Sequence, residues 1–238
     1  MSSDVTAYKF YDKDAKERTK INVLEDLFPR FPRDKYSVIY ADPPWDYGGK
    51  MQFDKSSMGK ESFNPNGRKV FISSASFKYP TVKLRDLKKL SVASIAEDDA
   101  LLFMWTTGPQ LANAIELGTA WGFDYKTVGF VWDKMNHNPG QYTLSQTEQV
   151  LIFKRGRIPK PRGARNVRQF LQVPRGKHSQ KPDEVADRIS EMFPTQKKIE
   201  LFSRRERTGW DTWGLDVMDE ETYVSQKDLK NSSQESLF

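Results

Sequence analysis

Two prolines in succession, flanked by an acid and an aromatic residue, stand at Asp42-Pro43-Pro44-Trp45, directly after the apolar run Tyr36-Ser-Val-Ile-Tyr-Ala41. Neither proline can extend a strand ladder or a helix interior, so the chain must leave a strand there in a stiff, extended form. Such an exit suits one kind of chemistry. The nitrogen of an aromatic amine is a poor nucleophile, because its lone pair is delocalised into the ring. Acceptors that grip both of its N–H bonds favour a more pyramidal nitrogen, ready to attack a methyl group carried on a sulfonium. The Asp42 carboxylate and the carbonyl of Pro43, a residue with no N–H of its own, are candidates for those acceptors. Trp45 would then stack on a base drawn out of its helix or loop. No general base of unusual pKa is required. The same four residues also make an ordinary turn; what favours a site is their place at a strand end in an alternating chain.

The alternation is visible on both sides of that exit. Leu101–Trp105, Tyr125–Trp132, Gln149–Phe153 and Lys198–Phe202 read as further strands, apolar enough to be buried on both faces. Between them, Lys181–Phe193 carries Val185, Ala186, Ile189, Met192 and Phe193 at helical spacing, with Pro182 placed for a first turn. Leu84, Leu87 and Leu90 mark a second helix. Leu111, Ala112 and Ile115 mark a third that stops near Gly122. This order implies an α/β fold with a mostly parallel sheet and helices on both faces, in which ligands bind beyond the carboxyl ends of the strands. Residues 21–217 are expected to form the domain, 1–20 a charged N-terminal arm and 218–238 a polar tail. Two long irregular stretches, Asp46–Tyr79 and Gly156–Lys177, are expected to border the site. His137, in Asn136-His-Asn-Pro-Gly140, reads as a turn residue, and Met104 and Trp105 as core or pocket wall.

Charge points to a partner. The chain of 238 residues carries 38 Lys and Arg against 32 Asp and Glu, a net charge of +6. From Lys154 to Lys181 there are ten cations and no acid, among them Arg162, Arg165, Arg168, Arg175 and Lys177. A cluster of this kind gains affinity for phosphates by releasing condensed counterions, although it is equally the composition of a solvated basic loop. His178, beside Lys177, is a phosphate neighbour or site-border residue rather than a general base. With 29% charged residues and a mean hydropathy of −0.73, the composition leaves no room for a membrane span. The absence of cysteine excludes disulfides and thiolate metal sites, and the charged N-terminal stretch lacks a signal peptide's apolar core. An intracellular protein without a metal is expected.

Further motifs stand in register with Asp42-Pro43-Pro44-Trp45: Leu102-Phe103-Met104-Trp105-Thr106, Thr147-Glu148, His178-Ser179-Gln180-Lys181-Pro182, Lys198-Ile199-Glu200-Leu201-Phe202-Ser203-Arg204, and Gly209-Trp210-Asp211-Thr212-Trp213-Gly214. Together they resemble the amino-methyltransferases with an (Asp/Asn)-Pro-Pro-aromatic signature. With tryptophan in fourth place, the chain is similar to the family named for the seventy-kilodalton catalytic subunit of the messenger-RNA adenosine methyltransferase. That family also holds bacterial, phage and ciliate DNA adenine methyltransferases. The resemblance implies a Rossmann-like fold, S-adenosylmethionine as cofactor, and transfer to the N6 amine of adenine. It places Asp42, Lys181, Glu200, Phe202 and Arg204 around the cofactor, Lys181 at its carboxylate, and it implies a homodimer or a heterodimer with a related subunit.

Small size and the His178-Ser179 element favour DNA as the substrate. RNA stays open, as does a non-catalytic nucleic-acid-binding subunit, against which the intact Asp42-Pro43-Pro44-Trp45 argues. Leu215-Asp216 stands where the eukaryotic catalytic members have an Asn-Gln pair, and the stretch after Asp46 is longer than theirs, which implies a different device for recognising the target. No G-x-G-x-x-G turn follows any predicted strand. Calorimetry is therefore expected to detect binding of S-adenosylmethionine and none of a nicotinamide dinucleotide; the opposite pair of results would discard the cofactor assignment.

Overall fold

The computed structural model describes residues 31–47, 81–138, 142–176 and 180–214, together with the backbone of four two-residue strands. These are β1 (Tyr8–Lys9) with β2 (Lys20–Ile21), and β4 (Ser62–Phe63) with β5 (Lys69–Val70), each pair antiparallel. Most of the expected arm, all of the tail at 218–238, most of the stretch after Asp46, Lys177, His178 and Leu215-Asp216 lie outside the described residues.

The remaining strands form one sheet: β3 (Tyr36–Ala41), β6 (Ala96–Thr106), β7 (Asp124–Asn138), β8 (Ser145–Arg155), β9 (Phe170–Gln172), β10 (Lys198–Leu201) and β11 (Asp211–Trp213). Their order is β11-β10-β3-β6-β8-β7-β9, and every strand but β8 runs the same way. The sheet is thus mostly parallel, as the alternation of elements requires. Successive side chains of β3 and β6 go to opposite faces. Ile39, Ala41, Leu102 and Met104 enter one core with Leu117 and Trp121, while Val38, Tyr40, Leu101, Phe103 and Trp105 enter the other with Val185 and Ile189. Both faces are covered, so these strands read as continuous apolar runs.

Helix α1 (Leu84–Leu87) is a single turn, shorter than the leucine spacing suggests, and it hands over to a 3-10 turn at Val92–Ile95. Helix α2 (Leu111–Ala120) ends before Gly122, whose φ of 85° is the left-handed conformation that favours glycine. Its buried face is Ala114, Leu117 and Gly118, not Leu111 and Ala112, which are exposed. Helix α3 (Asp183–Met192) begins one residue after Pro182, so the proline precedes the first turn instead of lying in it. Lys198 donates from Nζ to the carbonyls of Phe193 and Gln196 in the turn that follows α3, while Gly163 and Ala164 donate to carbonyls at the helix end. His137 is a strand residue, because β7 continues through Asn138.

The register puts the functional edge in place. Leu201 lies beside Ala41 and Ala41 beside Met104, so β10, β3 and β6 all end at one edge of the sheet. Because β8 runs the other way, it starts at that edge, with Gln149 opposite Thr106 and Glu148 opposite Trp132.

Gly118 packs α2 onto β8, and an added Cβ would overlap the Phe153 ring. Gly118→Val is expected to lower stability by about 1–3 kcal/mol through overpacking. Urea denaturation measures it, and an unchanged midpoint would show that the two elements separate without cost.

Candidate active site

At the end of β3 the chain is held by main-chain bonds on both sides of the proline pair. Asp42 N–H donates to the Leu201 carbonyl at 3.4 Å, Trp45 N–H to Pro43 at 2.8 Å, and Val82 N–H to Pro44 at 2.8 Å. The bond from Trp45 to Pro43 closes a three-residue turn around Pro44. It uses one lone pair of the Pro43 carbonyl, and a carbonyl has two. Beyond the turn, Gln110 Nε2 donates to the Asp46 carbonyl, and the Tyr47 and Thr107 hydroxyls pair at 3.1 Å, so the exit of β3 is tied to the exit of β6. Trp45 departs from expectation. Its side chain lies in the core at 6% exposure, and Nε1 donates to the Trp105 carbonyl at 3.2 Å. A ring so placed braces the loop from beneath and offers no open face on which a base could stack.

Asp42 stays partly open, at 27% side-chain exposure, and its Oδ2 receives a bond from Lys181 Nζ at 2.8 Å. The same ammonium lies 3.5 Å from Glu148 Oε2 and 5.5 Å above the centre of the Trp105 ring. Lys134, almost fully buried, reaches Glu148 Oε1 at 3.3 Å. The result is a chain of alternating charge along the edge: Lys134, Glu148, Lys181, Asp42. Burial acts to raise the Glu148 pKa, but Lys181 and Lys134 outweigh it and hold the carboxyl below its usual range. Trp105 Nε1 donates to the buried Tyr40 hydroxyl, whose pKa is pushed well up by burial and by the neighbouring Glu200.

A second cluster lies where β10 ends and α3 begins. Arg207 Nε donates to Glu200 at 2.8 Å and Nη1 to Asp183 at 2.7 Å; Arg205 also meets Asp183. Burial raises the Glu200 pKa, and Arg207 opposes it. Phe202 follows with φ at 62°, a left-handed backbone held by rings on both sides: Trp121 stacks on it and Trp213 meets it edge-on. Its aromatic face is therefore spent in the core. Arg204 is exposed at this edge, and the partner that Glu200 takes is Arg207.

The basic stretch does not stay together. Arg157 N–H bonds Asp99 near the start of β6, Gln196 holds the Pro161 carbonyl, and Gly163 and Ala164 donate to Met192 and Glu191 at the far end of α3. Arg162, over the Phe193 ring, and Arg165 thus lie at the edge opposite Asp42. Arg168 is exposed where the chain climbs into β9. Arg175, whose N–H bonds the Lys134 carbonyl, is the described cation of this group that returns to the site edge. Only the end of Gly156–Lys177 borders the site.

Tyr40, Lys134 and Arg207 were not legible as site residues, and Glu148 was visible only through the resemblance. Their common signal is strand direction, which a periodicity does not carry. Among the described residues no group of His, Asp and Glu suits a metal ion. Carboxylates at Asp42, Glu200 and Asp183 and cations at Lys181, Arg204 and Arg207 gather at or just beyond the carboxyl ends of β3 and β10.

The MT-A70 family profile matches residues 36–216. The chain is 64% identical over 219 residues to the Type II methyltransferase M.MunI of Mycoplasma sp, covering 92% of this chain and 94% of that one. It is 27% identical over 192 residues to the N(6)-adenosine-methyltransferase subunit METTL3 of Danio rerio and 24% identical over 192 residues to the N(6)-adenosine-methyltransferase catalytic subunit METTL3 of Homo sapiens. Each match covers 76% of this chain and 28% of the relative.

Glu148→Gln keeps the shape of the side chain and removes the charge between two lysines. It is expected to cost roughly 3 kcal/mol at pH 7, because Lys134 is left buried without its anion. A carboxyl whose folded pKa is depressed stabilises above its unfolded value and loses that contribution as pH falls through the folded one. The difference between wild type and variant should therefore shrink as pH is lowered past 4.5. Equal differences at all pH values, in urea denaturation, would remove Glu148 from the charge chain.

Proposed function

The chain belongs to the MT-A70 family, and from that premise we infer that it is a methyltransferase of the exocyclic N6 amine of adenine in DNA, using S-adenosylmethionine inside the cell. When bound, that cofactor supplies an electrophilic methyl group on a sulfonium. What carries the reading is the way Asp42 is held: Lys181 ties Oδ2 at 2.8 Å, and among the described residues nothing takes Oδ1. One carboxylate oxygen is thus available to an amine N–H, beside the second lone pair of the Pro43 carbonyl. The turn around Pro44 fixes the Pro43 carbonyl and Lys181 fixes the Asp42 carboxylate beside it, so little reorganisation is needed when the amine arrives.

Lys181 acts in this proposal mainly on Asp42, orienting its carboxylate while Glu148 balances the ammonium. Glu200, Arg204 and Arg207 are placed to meet the ribose and amino-acid end of the cofactor. The choice of DNA follows the relative that is matched along nearly its whole length, a type II methyltransferase; the N(6)-adenosine enzymes are matched over about a quarter of theirs. Arg175, at the site edge, is the described cation of the basic stretch that this reading sets against the phosphates nearest the target.

Labelled S-adenosylmethionine, offered with DNA and RNA separately, is expected to label DNA. Asp42→Ala removes the acceptor, and Asp42→Asn keeps an oxygen in its place. A charge-assisted hydrogen bond contributes roughly 1.5–3 kcal/mol, so Asp42→Ala should lose about ten- to a hundred-fold in rate and Asp42→Asn less. Cofactor binding is measured for each variant first. Label in RNA alone would move the substrate to RNA, and an Asp42→Ala enzyme with normal cofactor affinity and undiminished rate would end the proposal.

A further inference from the structure

The ladder between β7 and β8 continues past every neighbour. Its last rung at the site is Trp132 opposite Glu148, whose carboxylate is 3.5 Å from Lys181, itself 2.8 Å from Asp42. On one flank β6 has already ended, at Thr106 opposite Gln149; on the other, β9 ends at Gln172 beside Asp133. From there the pair runs on to Asn138 opposite Ser145. The register shifts between Asp133 and Asn138, and β8 spans only three residues from Glu148 to Ser145; at about 3.3 Å each, the paired reach beyond the reactive edge is roughly 10 Å. Its root is rigid. The Asp133 carboxylate accepts bonds from Met135 N–H at 2.8 Å, Gln146 Nε2 at 2.6 Å and Gln172 Nε2 at 3.0 Å, which fastens both arms and β9 together.

The projecting part has an unusual surface. Tyr142 is 90% exposed, Leu144 63% and Met135 57%, the three most exposed large hydrophobics among the described residues. Exposed apolar groups gathered on one element mark a contact surface. From Lys134 to Thr147 there is no acidic residue in a chain that has 32, and Arg175 is fastened to the root through the Lys134 carbonyl. A partner that meets this hairpin is therefore met by apolar tips, and by Arg175 at the root, without repulsion from carboxylates on the projecting part. It must also leave a path for an amine to Asp42, because the hairpin starts beside that residue.

Building on the proposed methylation of adenine in DNA, we propose that the β7–β8 hairpin enters the duplex at the target and that Tyr142 and Leu144 fill the space the adenine leaves. An adenine paired in a helix cannot present its amine to Asp42; it must swing out, and the gap costs stacking. Apolar side chains inserted between bases offset that cost, and a two-stranded ribbon is narrow enough to enter the major groove.

The test uses the full chain and two synthetic duplexes carrying the methylated site, which is first located by sequencing methylated DNA. In one the target adenine is paired; in the other it faces an abasic position, so that no pair has to be broken. Tyr142→Ala/Leu144→Ala is expected to lose about ten-fold or more in kcat/KM on the paired duplex and less than about three-fold on the abasic one. Tyr142→Phe/Leu144→Met should stay close to wild type on both. Equal loss on the two duplexes, or no loss on either, overturns the proposal, as does a change of oligomeric state in sedimentation, which would assign the apolar tip to a second copy of the chain. Wild type that methylates neither duplex would instead overturn the DNA reading itself, whereas Asp42→Ala, slowed to the same extent on both, separates failure of the chemistry from failure of the hairpin.

Discussion

The ammonium of Lys181, set between Asp42 and Glu148 over the face of Trp105, is the contact on which the site depends. Each partner arrives on a different element: Asp42 beyond β3, Glu148 at the start of β8, Trp105 near the end of β6, and Lys181 just ahead of α3. A partly buried ammonium needs anions and a polarisable surface to offset its lost hydration. Those groups meet only if the strand ends are level and β8 is reversed. The sheet order is thus a condition for the charge chain, and the charge chain in turn sets the direction of the Asp42 carboxylate.

Lys181 and Asp42 are 139 positions apart, and the site has no local nucleus. The pairing of β10 with β3 places α3, and through it the lysine, within reach of the carboxylate. Locally, Asp42 has only the stiffness of the two prolines that follow it. The division of labour is clear in the bonds: the main chain fixes the position of the Pro43 carbonyl by turns and bridges, whereas long-range ion pairs fix the side chain beside it. A substitution in the first set disturbs both acceptors. One in the second disturbs a single acceptor and leaves the loop standing.

Much of this was open to reading from the residues. The run Tyr36–Ala41 emerged as β3 with the same ends, since a strand buried on both faces admits few other sequences. The helix at Lys181–Phe193 became α3, because Val185, Ala186 and Ile189 form one apolar stripe. What was not open is direction and depth. Periodicity cannot say that β8 runs backwards, so Glu148 and Lys134 carried no sign of a site on their own. It also cannot tell a tryptophan that faces solvent from one that braces a turn, and Trp45 was assigned to the base when the core needed it. The basic stretch misled for a related reason. Closeness along the chain holds Arg162 and Arg175 within one charge run, but β8 delivers the chain to one edge of the sheet and β9 carries it to the other.

Reversal of β8 has a second consequence. In a wholly parallel sheet each strand at this edge is followed by a loop, and loops adapt. Here one strand ends and the next begins at the edge, so β7 and β8 can pair beyond the point where their neighbours stop, as far as Asn138 opposite Ser145. The same reversal that supplies Glu148 to Lys181 therefore supplies an arm whose root is fastened next to it. A side chain on that arm inherits its position from the ladder, and a shift at its base would be felt at Glu148. Geometry thus roots whatever the hairpin touches beside the same carboxylate that balances Lys181, which in turn holds Asp42.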